Sequence, residues 1–85
     1  MTKTHSRARV RLISQAEVME FVGELARHAD RFSIENFSGM HRVNAKSVIG
    51  VMYTMFDFPE EMFLVNDDHD GVIPRAMDKY RVVSA

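Results

Sequence analysis

Four residues at the head of an apolar stripe, Ser14-Gln15-Ala16-Glu17, constrain the fold of this chain more than any other feature. A hydroxyl at a helix N-cap and a carboxylate three residues later can each satisfy a free backbone N–H, so the quartet reads as a capping box and predicts a helix start. Val18, Phe21, Val22, Leu25, Ala26 and Ala29 then recur at intervals of three and four. That spacing draws one apolar stripe along a helix of about four turns. Such a stripe must be covered, and in a chain of 85 residues the cover has to come from a single small core.

The rest of the chain supplies that cover in short pieces. "RVRLI" (9–13) places Val10 and Leu12 on one side of an extended segment, and "RFSIEN" (31–36) alternates Phe32 and Ile34 with polar neighbours. "FSG" is a glycine-bearing turn, and "MHRVNA" (40–45) reads as a returning strand, which makes a β-hairpin. Ser47 opens a helix whose Val48, Val51, Met52 and Met55 fall at helical spacing, although β-branched residues and Gly50 weaken it by propensity. Pro59 breaks that pattern at "DFPEE", "EMFLVN" (61–66) reads as a central strand, and "DDHDG" is a turn. Val72, Ile73, Ala76, Met77 and Tyr80 predict a short last helix, with Pro74 in its first turn. The order β-α-β-β-α-β-α predicts an α+β fold, with a mostly antiparallel four-stranded sheet covered by three helices on one face. One domain over 1–85 is expected, with a flexible N-terminal tail over 1–8.

Composition narrows the function classes. Without cysteine there is no disulfide framework and no thiolate metal site, and the expected setting is the reducing cytoplasm. The opening "MTKTHSRARVRL" has no apolar run of signal-peptide length, and no segment is apolar for long enough to span a bilayer, so no membrane insertion is expected. Eleven basic residues against twelve acidic ones give no overall attraction to nucleic acid. Arg7, Arg9 and Arg11 form the one basic concentration, and their spacing by two puts them on one side of an extended segment. They read as the solvent face of an edge strand, where charge discourages strand addition, rather than a phosphate-tracking patch, which would interleave aromatic residues.

No Gly-rich phosphate loop, G-x-S-x-G elbow or H-E-x-x-H motif occurs, so the chain is not expected to be an enzyme or to carry a cofactor. The four histidines, His5, His28, His41 and His69, do not fall in a catalytic pattern, and "NDDHDG" lacks the spacing of a calcium loop, so no metal site is expected. The seven methionines are mostly core by spacing, with some on the 48–55 helix available to an adaptable binding surface. Ser47 carries two readings at once. As an N-cap its hydroxyl accepts from a first-turn N–H; the same free donors and the helix dipole favour a phosphoryl group there. Phosphorylation would add about two negative charges and change what a partner meets.

"RVNAKSVIGVM", together with the order of elements, resembles the HPr family, the small phosphocarriers of the bacterial sugar phosphotransferase system. The resemblance runs from about Val10 to Tyr80 and implies an open-faced β-sandwich of four strands and three helices. In that family a histidine capping the first helix, in a G-L-H-A-R-P-type motif, accepts phosphate from enzyme I. The matching segment here is "ISQAEVMEFV", which places Ser14 at the histidine position, Ala16 at the arginine position and Glu17 at the proline position. Serine would form a stable ester where the carrier needs a labile P–N bond, and Glu17 would repel a phosphoryl group beside it. The family's regulatory serine, modified by an ATP-dependent kinase and read by a transcriptional regulator, corresponds to Ser47, with Lys46 beside it. The apolar residues that meet partners in the family correspond to Val48, Ile49 and Met52. The resemblance therefore implies a regulatory or adaptor protein of the phosphotransferase system. Its partners would be a component of that system, a serine kinase or a transcriptional regulator, and no nucleic acid. The alternatives are a carrier using a displaced histidine and an interaction module that is never phosphorylated.

Overall fold

In the computed structural model, which describes residues 7–68 and 71–82, the elements follow in the expected order. They are β1 (Arg7–Val10), α1 (Gln15–Leu25), β2 (Phe32–Glu35), β3 (Arg42–Asn44), α2 (Val48–Asp57), β4 (Met62–Asn66) and a 3-10 helix, Arg75–Tyr80. The strands form one sheet in the order β1-β4-β2-β3. Every pairing is antiparallel, from Val10↔Met62 and Ile34↔Leu64 to Ile34↔Val43. The fold is α+β, and the sheet is antiparallel throughout rather than mostly so. No helix among the described residues is long and apolar enough to cross a membrane.

The core lies between one face of the sheet and the helices. Val10, Ile34, Met62 and Leu64 meet Val18, Phe21 and Leu25 of α1, Val51 and Met55 of α2, and Met77 and Tyr80 of the 3-10 helix, all buried. Tyr80 stands edge-on to Phe21 with ring centroids 5.2 Å apart, and its hydroxyl donates to Glu20 at 2.6 Å. Each fully buried side chain of this size contributes about 1.5–3 kcal/mol, which is why a helix as poor in propensity as α2 holds. The opposite face carries Arg7, Arg9, Phe63, Glu35, Arg42 and Asn44.

β1, the first helix and the last helix differ from the sequence expectation. β1 starts at Arg7, inside the expected tail over 1–8, and ends at Val10 instead of Ile13, because β4 begins at Met62, opposite Val10. Residues 1–6 lie outside the described residues. The first helix stops at Leu25, after three turns rather than four. Ala26 and Ala29 are exposed, so they have no apolar contact to extend it, and the N–H groups of Arg27 and His28 close tighter bonds to Glu24 O and Leu25 O. The last helix is 3-10, with Pro74 at its N-cap. Met77 and Tyr80 are its buried residues, and a spacing of three suits a three-residue turn, while Ala76 and Val72 are exposed.

Candidate functional site

The hydroxyls of Ser14 and Ser47 cap α1 and α2 where the sequence predicts caps. Ser14 caps α1 by accepting from Glu17 N–H at 3.1 Å. The Glu17 carboxylate turns back to accept from Ile13 N–H at 2.8 Å, one residue earlier than an ordinary capping box. A carboxylate therefore already occupies the electropositive start of α1, and Ser14 is half-buried between these bonds.

At α2 the turn is set by Asn44, whose side-chain oxygen accepts from Lys46 N–H at 2.9 Å and whose carbonyl accepts from Ser47 N–H at 3.0 Å. Ser47 Oγ then accepts from Gly50 N–H at 3.1 Å. Glycine at 50 lets this turn lie against β3: a Cβ there would sit 3.2 Å from Val43 Cβ and 3.4 Å from Ser47 Oγ. No acidic residue stands in the first turn of α2. Lys46 is adjacent, but its ammonium donates to His28 O at 2.6 Å, so it is tethered to the end of α1 rather than reaching into solvent.

The partner-facing residues implied by the resemblance divide. Ile49 is 83% exposed, whereas Val48 and Met52 are half-buried and pack against the core. Tyr53 and Phe56 replace them on the outside, 55% and 70% exposed, and with Ile49 they form a stripe at i, i+4 and i+7. The core stripe of α2 does not name either residue, because it specifies the buried face and not what the other face carries. The available signal was that α2 is apolar nearly all round, which marks a helix that is either fully buried or covered by something else.

Beneath the stripe lies a ring cluster. His41 packs on Tyr53 and Phe58 with centroids 5.5 and 4.9 Å away, and its Nε2 is 2.8 Å from Thr54 Oγ1. The buried Thr54 hydroxyl donates to Gly50 O at 3.0 Å, so it can only accept from His41, which fixes the imidazole proton on Nε2. A hydrogen bond to Asp57 raises the Tyr53 phenol above its usual pKa. His41 precedes β3 rather than lying in it, and His28 is 3.3 Å from Glu24, just past the end of α1. His5 and His69 lie outside the described residues.

The basic stretch is also redistributed by the fold. Arg7 pairs with Glu35 at 3.2 Å, while Arg9 and Arg11 pair with Glu60 at 3.8 and 3.6 Å. The sheet sets Phe63 under the Arg7 guanidinium, 4.0 Å away, an aromatic neighbour that the local sequence could not reveal. Among the described residues no three His, Asp or Glu side chains converge as metal ligands. Comparison with protein-family models, with curated proteins and with solved structures finds no match.

Proposed function

We propose that the chain is an HPr-like protein with a regulatory or adaptor role in the sugar phosphotransferase system, acting through the α2 surface that begins at Ser47. The observation that carries this reading is the contrast between the two helix starts. At α1 the chain's own Glu17 carboxylate stands in the first turn beside Ser14, accepting from Ile13 N–H. At α2 the hydroxyl of Ser47 meets no carboxylate in the first turn, and an exposed apolar stripe, Ile49, Tyr53 and Phe56, starts two residues away. A phosphoryl group is favoured by the dipole at the second place and disfavoured by the neighbouring charge at the first. The partner is another protein, whether a component of that system, the serine kinase itself or a transcriptional regulator.

A carrier using a displaced histidine fits less well. Among the described residues, His28 follows the far end of α1 and bonds to Glu24, and His41 is packed on α2. Incubation with the family's ATP-dependent serine kinase should phosphorylate the wild-type chain and leave Ser47→Ala unmodified. Incubation with enzyme I and phosphoenolpyruvate should leave both unlabelled. Acid-labile phosphohistidine would overturn the adaptor reading; a wild-type chain that resists the kinase would leave an unphosphorylated interaction module in its place.

A further inference from the structure

The sheet ends on two edges in opposite condition. Along β1 the chain covers its own edge: Arg11 N–H donates to Tyr80 O and Val82 N–H to Arg9 O, each at 2.9 Å. Along β3 no described residue does so. Asn36 N–H bonds to His41 O and Ala45 N–H to Phe32 O, both at 3.0 Å, with Ile34↔Val43 paired between them. Antiparallel alternation therefore turns the N–H and C=O groups of Arg42 and Asn44 away from β2. The Asn44 carbonyl is taken by Ser47 N–H, which leaves two N–H donors and the Arg42 carbonyl on an exposed edge.

Beside these groups lies a depression of about 400 Å³. Arg31, Arg42 and Lys46 line it against one carboxylate, Asp67, and Phe32 and Val43 add apolar surface. Asp67 is already engaged by Ser33 Oγ and the Arg42 guanidinium. Arg31 spends its Nε on Asp68 at 2.8 Å, and with a side chain 80% exposed it keeps its terminal nitrogens in water. Three cations stand against one carboxylate in its lining, although Arg42 is also held by Glu35 at 3.0 Å and Lys46 by His28 O, and the depression adjoins an uncovered strand edge.

A bare edge is a template for another strand, and cations on it discourage a second copy of itself. The same cations favour a strand of opposite charge. We propose that β3, from Arg42 to Asn44, takes up an extended peptide segment with carboxylates at alternate positions, which adds to the sheet as a fifth strand. Alternation places those carboxylates on the face of Arg42 and the depression and turns the intervening residues to the face of Val43, so an acidic-apolar pattern fits both. This surface is separate from the exposed stripe of α2.

The test is a titration of the isotopically labelled full chain with a short blocked peptide alternating glutamate and valine, followed by amide NMR and hydrogen exchange. Saturation should slow exchange of the Arg42 and Asn44 amides by about fivefold or more, and added salt should weaken binding by screening the exposed charges. A peptide N-methylated at alternate residues, or with lysine in place of glutamate, should lose binding while the protein is left untouched. Arg31→Gln and Lys46→Gln should each weaken it severalfold. The proposal is overturned if the lysine peptide binds equally well, or if shifts gather at Ile49, Tyr53 and Phe56 with no protection at β3. It is equally overturned if glutarate or inorganic phosphate reproduces the shifts without slowing exchange, which would mark a simple anion site. Binding at β3 is read without any kinase, so its failure leaves the reading of Ser47 standing.

Discussion

Replacing Gly71 by alanine should destabilise the protein severely, and a second substitution should cancel most of the damage. Asn66 is fully buried at the end of β4 and makes three hydrogen bonds: Nδ2 donates to Asp30 Oδ2 at 3.0 Å and to Val72 O at 2.9 Å, and Oδ1 accepts from Asp68 N–H at 2.9 Å. Gly71 lies against this amide so closely that a Cβ would fall 2.2 Å from Asn66 Cγ and Oδ1. Ordinary carbon contacts are about 3.5–4.0 Å, so the amide must move by more than about 1 Å, beyond the reach of its partners. Three buried hydrogen bonds at about 1 kcal/mol each give a cost of about 3 kcal/mol. Asn66→Ala loses the same three bonds and should cost a similar amount. In the double variant, however, the new methyl of residue 71 enters the space that the amide has left. Its total cost should stay near that of Asn66→Ala alone, a coupling of about 2–3 kcal/mol. Urea unfolding followed by circular dichroism measures all three variants, with midpoints for the single variants lowered by on the order of 2 M at slopes typical of small domains. Costs that simply add in the double variant, or a Gly71→Ala protein as stable as wild type, would refute the steric argument.

Two further outcomes test the site and the core. Ser47→Ala removes the bond to Gly50 N–H and should cost about 1 kcal/mol, or about 4–8 °C in Tm, whereas Ser47→Asp keeps an acceptor at the cap and should melt near wild type. Equal losses in both would mean that Ser47 does not act as a cap. Burial, and then the bond to Glu20, raise the Tyr80 phenol well above its ordinary value. Its neutral form therefore contributes stability that is complete below about pH 10 and is lost as pH rises toward the folded value, since the unfolded chain ionises first. Tm should fall above about pH 10 in the wild type and fall less in Tyr80→Phe; identical alkaline slopes would contradict this.

Legibility followed the range of the interaction. Both N-caps were readable because a cap is a bond across three residues, and Ser14 with Glu17 N–H and Ser47 with Gly50 N–H need nothing from elsewhere in the chain. The hairpin was readable for the same reason: Gly39 takes a φ of +81° and Asn36 Oδ1 gathers the N–H groups of Gly39 and His41 within five residues. The α1 terminus is not legible in the sequence, because alanine suits a helix by propensity whether or not it is covered, and the burial that separates Leu25 from Ala26 and Ala29 depends on distant elements. The candidate site was half legible. Of the exposed α2 stripe the sequence names Ile49, while Tyr53 and Phe56 emerge only once β3 and the core have claimed Val48, Val51 and Met52.

The sequence by itself determined where α1 and α2 begin, which stripes need burying and that Ser47 stands at a cap, because these are properties of neighbouring residues. The tertiary structure decided the rest. Antiparallel pairing put Phe63 beneath Arg7, and it left the donors of Arg42 and Asn44 uncovered while Arg9 and Arg11 were covered. Each of these joins segments far apart in the chain, and the apolar pattern that brings them together specifies which faces are buried, not which polar groups then meet.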